Sequence, residues 1–304
     1  MKHSMMYKTD FISNLLREEF PNLCVKKLDP LGSGYNCDAF LVNDKYVFKF
    51  PKSEKANESL KNEVLALNYL KNKLPLPIPQ IEFSSEKSNA FPYRIVGYEQ
   101  IRGRILTAQL YQSFTEREKD SLAKSIAEFL RALHSVNIPE ELKALEDDFI
   151  EGLEIDYNDI RSLVYDRLNV KAKEFTDNYY QNALSDDDYK ASRTALIHND
   201  LSCNHIVIDD NNSVAGIIDF GDVAITDVDL EFVYLFEDSE EELGSDFGKR
   251  VLKYYHYENE ERLMKKIRLK HNGEAFEKIL FGNAMNLDDM FSEGLSELQQ
   301  NGKQ

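Results

Sequence analysis

Residues 196–221 read LIHNDLSCNHIVIDDNNSVAGIIDFG and hold most of the side chains that could do chemistry. Ile206-Val207-Ile208 and Gly216-Ile217-Ile218 are apolar runs separated by Asp209–Ser213, whose residue types favour a turn. A hairpin folded about Asn211-Asn212 sets residues near 205 opposite residues near 219, so His205 and Asp219 meet at its open end. Asp200, five residues before His205, falls in the loop entering the first strand. Such a cluster can hold Mg²⁺ against nucleotide phosphates while Asp200 orients an attacking hydroxyl and accepts its proton. Mg²⁺ prefers oxygen, which makes Asp219 the stronger metal ligand and His205 the less usual one. His198 reads as a buried brace for the loop rather than a base.

The elements that must carry these residues follow from periodicity. Phe11, Leu15, Leu16 and Phe20 predict an amphipathic helix behind Asp10, a candidate N-cap. Strand patterns around Ala39–Val42 and Tyr46–Phe50 flank an Asn43-Asp44 turn, after a glycine-rich Gly32-Ser33-Gly34 whose backbone amides could approach phosphates. Cys37 stands where a G-x-G-x-x-G motif would have its last glycine, so that motif is incomplete. Leu60, Val64, Leu67 and Leu70 mark a helix over 58–73, ended by the proline run at 75–79. Lys49 lies among apolar neighbours on its strand and needs a partner; Glu63 on the following helix is the natural one, unless it is simply solvated there. Thr115 and Glu118 form a capping-box signature ahead of Leu122, Ile126, Phe129, Leu130 and Leu133. Beyond that helix, 140–190 is acidic and helical in pattern, and 228 onward is mostly helical.

His198-Asn199-Asp200 with His205, joined to Asp219-Phe220-Gly221 at hairpin spacing, resembles the catalytic loop and D-F-G metal motif of kinases. The histidine at 205, in place of the usual asparagine, is similar to the aminoglycoside 2″-phosphotransferases, and the chain resembles that family from Leu31 to about Gly282. The resemblance implies an α+β, two-lobed protein-kinase-like fold, with a β-rich nucleotide lobe over 1–101 and a helical catalytic lobe over 102–304. It implies transfer of a γ-phosphoryl group from GTP, or from ATP, to an aminoglycoside hydroxyl, with Lys49 on the phosphates and Glu63 positioning it. Tyr98-Glu99-Gln100-Ile101 falls at the interlobe hinge, where Glu99 and Ile101 offer backbone groups to the purine. Tyr98 is then either a gatekeeper favouring GTP or a core residue. The acceptor side is read from charge: Asp222, Glu237 and Asp238 are the candidates for ammonium groups, with Ser202 in the catalytic loop beside them. Asp227 and Asp229 belong to the same acidic stretch, whereas Glu240–Glu242 read as a solvated face. A kinase of another small alcohol (macrolide, choline or homoserine) shares this core machinery, and a pseudokinase would share the fold.

Composition sets outer bounds. The 304 residues carry a formal charge of −17, which disfavours nucleic acid or an anionic membrane as partner and suits either a polycationic ligand or solubility alone. Three cysteines without C-x-x-C spacing imply no disulfide framework, and no secretory h-region or long apolar span is visible. A cytoplasmic monomer is the expectation.

Overall fold

The structure, a computed structural model, describes residues 5–191 and 193–301. Helix α1 (Thr9–Glu19) buries Ile12, Leu15 and Leu16 against a five-stranded antiparallel sheet. Asp10 does not cap it: Lys8 holds the cap position, and Asp10 sits in the first turn, where its charge suits the helix dipole. Phe11 is largely exposed, because Ile12 takes its place on the buried face.

The sheet has the order β1-β2-β3-β5-β4, from β1 (Leu28–Ser33), β2 (Cys37–Val42), β3 (Tyr46–Pro51), β4 (Ile81–Ser85) and β5 (Ile95–Glu99). Asn43 and Asp44 both have positive φ, as a tight hairpin turn matching strand twist requires. On the other face lies α2 (Glu54–Leu70), whose Leu60 and Val64 pack with Val47, Val96 and Tyr98. This helix starts earlier than its apolar stripe predicts, because the Ser53 side chain caps the amide of Ala56. It also ends before the prolines, at Leu70, where Asn72 adopts a left-handed conformation and turns the chain.

The second half is mainly helical. A short β6 (Arg104–Ile105) precedes α3 (Ala108–Gln112) and α4 (Glu116–Leu133), and α5 (Phe149–Leu163) and α6 (Val170–Ser185) follow. The reciprocal capping box of Thr115 and Glu118 is present at the start of α4. Then come β7 (Thr194–Ile197), β8 (Ile206–Ile208), β9 (Val214–Ile217) and β10 (Ala224–Asp227), with β7 paired to β10 and β8 between β6 and β9. The chain closes with α7 (Ser245–Tyr255), α8 (Glu260–Asn272), α9 (Glu274–Met285) and α10 (Asp288–Asn301). Among the described residues no helix is long and apolar enough to cross a membrane.

The β8–β9 hairpin is fastened to the first half of the chain. The amide of Ile217 donates to the carbonyl of Pro77 at 3.0 Å. A Cβ on Gly216 would lie 2.6 Å from that carbonyl, so only glycine permits the approach. Within the large sheet, Gly97 of β5 faces Phe48 of β3, and an added Cβ would come within 2.6 Å of the Phe48 ring. Gly97→Ala should therefore lower stability by about 1–3 kcal/mol through overpacking. Chemical denaturation measures it, and an unchanged midpoint would show that the ring has room to move.

Candidate active site

Lys49 is the centre of the site. Its strand buries it to 8% exposure, and burial opposes its charge. Asp219 and Glu63 reverse that effect and hold its pKa well above the ordinary lysine value. The ammonium lies 2.7 and 2.8 Å from the two Glu63 oxygens and 3.0 Å from Asp219 Oδ1. Glu63 reaches it from α2 and is itself buried, not solvated. From the same helix, Ser59 Oγ donates to the Gly221 carbonyl at 2.7 Å. Helix α2 thus grips Asp219-Phe220-Gly221 directly and through Lys49.

The hairpin presents its two ligating candidates much as its turn predicts, one register step away. Ile206 pairs with Ile217, and the Ile218 amide donates to the His205 carbonyl at 3.0 Å. His205 Nε2 lies 3.6 Å from Asp219 Oδ2, while Nδ1 lies 2.6 Å from the Asp200 backbone carbonyl. A carbonyl only accepts, so Nδ1 carries a proton, and Nε2 is the ring atom left to face Asp219. A divalent cation between them would take the Nε2 lone pair, and two protein donors suit Mg²⁺, which retains water and phosphate oxygens. Lys49, ahead of the opposing burial, holds the Asp219 carboxyl well below the usual carboxylate range, so it is ionised. Asn199 and Asp219 both have positive φ, a strained state at non-glycine positions that redirects the chain beside each acid.

Asp200 stands 3.5 Å from His205 Nδ1 through Oδ2. Burial pushes its carboxyl up to about 7; His205 opposes the shift, and Asp222, Asp219 and Glu242 add to it. His198 is fully buried and braces the loop as its position predicts. Its Nε2 donates to the Ile218 carbonyl at 3.0 Å, and its Nδ1 accepts the Asp200 amide at 3.3 Å. Burial lowers its pKa to about 4, so it stays neutral. Ser202 is buried, with its hydroxyl 3.4 Å from His205 Nδ1.

The other sequence candidates fall in three groups. Ser33 and Gly34 sit at the β1–β2 turn, where Lys52 Nζ reaches the Ser33 hydroxyl and the Gly34 carbonyl, each at 2.7 Å. Gly32 precedes them in β1. Tyr98 is 5% exposed and packs beside α2, with Lys49 and Glu63 close enough to influence its phenol. Glu99 ends β5 and pairs with Lys45 at 3.3 Å, and Ile101 packs against Gly216. On the acceptor side, Asp222 is exposed, its carboxyl raised by the surrounding protein and by Asp219. Glu237 is half-buried, and Asp238 is exposed but spends one oxygen on the Ser245 amide at 2.7 Å.

Two readings of the acidic stretch need correction. Asp227 and Asp229 are buried and ion-paired with the fully buried Lys266, because their short 3₁₀ segment turns them inward. Glu242 is not solvated: it is half-buried and accepts the Cys203 amide at 3.0 Å. Other contributors were missed. Glu231 accepts the His198 amide at 2.7 Å and lies 3.2 Å from His134 Nε2. Asp38 anchors Lys52 at 3.0 Å and is completely buried. Its alternation with Phe40 and Val42 on β2 was a legible sign of a buried acid; nothing local marked Glu231 or Glu242.

The sequence profile of the phosphotransferase enzyme family matches residues 27–265. The chain belongs to that family. Among solved structures, the streptomycin–ATP ternary complex of APH(2″)-IIa is 30% identical, with a TM-score of 0.84 and 97% of each chain covered. The GDP and kanamycin complex of APH(2″)-IIIa is 27% identical, with a TM-score of 0.85, covering 96% of this chain and 98% of that one. Macrolide 2′-phosphotransferase type I, at 20% identity and a TM-score of 0.72, shares the fold. The two-lobed kinase-like fold is therefore shown, as is the phosphotransferase class.

The tie between this phosphotransferase's catalytic loop and Glu242 makes a test. Glu242→Ala should release the Cys203 amide, a loss of roughly 1.5 kcal/mol of local stability. Hydrogen exchange at Cys203 should then quicken about tenfold. Unchanged exchange would mean that Glu242 leaves the loop untouched.

Proposed function

We propose that this phosphotransferase moves the γ-phosphoryl group of a purine nucleoside triphosphate, GTP in preference to ATP, to the 2″-hydroxyl of an aminoglycoside, and so confers resistance to it. The observation that carries the chemistry is the convergence of Lys49, His205 and Asp219, with Asp200 alongside. The likeness to APH(2″) enzymes solved with kanamycin or streptomycin supports the acceptor class. Lower similarity to the macrolide enzyme weighs against that alternative.

In this reading residues 1–101 bind nucleotide and 102–304 carry catalysis. Asp200 orients the acceptor hydroxyl and takes its proton, for which a carboxyl poised near neutrality is suited. Lys49 meets the phosphates, and Glu63 fixes it. Asp219 Oδ2 and His205 Nε2 would hold Mg²⁺, which when bound neutralises charge on the phosphate oxygens. Ser202, whose hydroxyl lies beside His205, is a further contact for the acceptor. Gly32, Ser33 and Gly34 cover the phosphates, while the backbone of Glu99 and Ile101 meets the purine edge. Asp222, Glu237 and Asp238 receive ammonium groups, consistent with the charge of −17. The three free thiols accord with a reducing cytoplasm.

Two experiments decide it. Wild type should phosphorylate kanamycin, and Asp200→Asn should lose at least a hundredfold in kcat with nucleotide affinity kept, roughly what general-base catalysis contributes; near-normal turnover would remove Asp200 from that role. Separately, the buried Tyr98 ring should deny adenine the back of the purine pocket. The specificity constant for ATP should therefore rise in Tyr98→Ala while that for GTP does not, and equal ATP use in both proteins would end the gatekeeper reading.

A further inference from the structure

The glycine-rich turn touches the opposite lobe. Tyr35, two residues beyond Ser33, sets its ring edge-on to Phe281 of α9, with centroids 4.9 Å apart and planes at 80°. This is a favoured aromatic geometry. Both side chains are half-buried, so neither fills a core. The position of Phe281 gives the contact its meaning. Glu277 lies one turn earlier on the same helix face; burial is the first cause that raises the Tyr234 phenol, and Asp200, Glu277, Asp222 and Glu237 add to it, so Glu277 neighbours the same side chain as those three acids. That face of α9 therefore borders the acceptor side of the cleft. On the donor side, Lys52 and Asp38 clamp the stem of the turn at Ser33 and Gly34, so Tyr35 projects from a fixed base.

We infer that the Tyr35–Phe281 pair is a latch across the mouth of the cleft, joining the phosphate-covering turn to the acceptor wall and limiting the size of acceptor that enters. This use of the contact rests on the aminoglycoside phosphotransferase reading above; the contact itself does not. Opening the latch frees the turn on one side and the α9 wall on the other, so both substrates feel its loss. Tyr35 and Phe281 act here as positioning residues, since neither needs to touch a reacting atom.

The test has two arms on the full chain. In the first, hydrogen exchange without substrates compares wild type, Phe281→Ala and Phe281→Tyr. Phe281→Ala should speed exchange at residues 34–37, far away in sequence, by roughly two- to tenfold, the span of an aromatic pair. Phe281→Tyr keeps the ring and should stay closer to wild type. Unchanged exchange in Phe281→Ala overturns the latch whatever the enzyme phosphorylates. In the second, a double-mutant cycle of Tyr35→Ala and Phe281→Ala reads KM for kanamycin and for GTP. Each single change should raise both constants, and the double variant should equal the singles rather than their product. Independent effects overturn the coupling. If wild type phosphorylates no aminoglycoside, the acceptor reading fails while the exchange arm still decides the latch.

Discussion

An ammonium buried in a protein must be paired, and Lys49 draws its two partners from different parts of the chain. Glu63 arrives on α2, fourteen residues on, and Asp219 on a hairpin 170 residues away. Each pairing dictates geometry. Helix α2 must lie against the sheet, which its Leu60–Val64 stripe ensures, and the chain leaving β9 must present Asp219 at positive φ. Because removal of either partner leaves charge buried and unsatisfied, the triad fixes the lobes' approach more firmly than its net energy would imply.

Around that cation the carboxylates outnumber their partners. Asp200, Asp222 and Glu242 all have raised pKa values; burial is the first cause for Asp200 and Glu242, and the desolvating walls of the cleft for the more exposed Asp222. Asp219 escapes because Lys49 is at hand. Loss of solvation first, and neighbouring acids second, disfavour charge on the other three, and any ligand that bound only the folded chain would stabilise it through linkage. Asp227 and Asp229 are buried too, but they share Lys266 as a partner, which opposes the upward push that burial gives Asp227.

Much of this was legible in sequence, for identifiable reasons. Strand and turn chemistry located the hairpin, and the apolar surroundings of Lys49 announced a partner, which Glu63 proved to be. The Thr115–Glu118 box was readable because both halves of its interaction lie within one turn. What escaped were contacts set by tertiary packing. Glu242 lies 39 residues from the amide it binds, and Glu231 lies 33 from His198. Nothing in their neighbours distinguishes them from surface acids. Local errors had local causes: the helix after β3 was dated from its apolar stripe, although Ser53 starts it sooner, and Ile12 displaced Phe11 from the core face.

The bond from Ile217 to the Pro77 carbonyl, closed over by Gly216, sews the β8–β9 hairpin to the first half of the chain along one edge. Two bodies joined this way open like a book at its spine. Points near the spine hardly travel, while the fore-edge sweeps the largest arc for the same rotation. Asp219, two residues beyond the stitched strand end and held by Lys49, therefore keeps its place in any such rotation. The mouth of the cleft is thus the part of the molecule most sensitive to how the two halves are held, and the contacts around Lys49 the least.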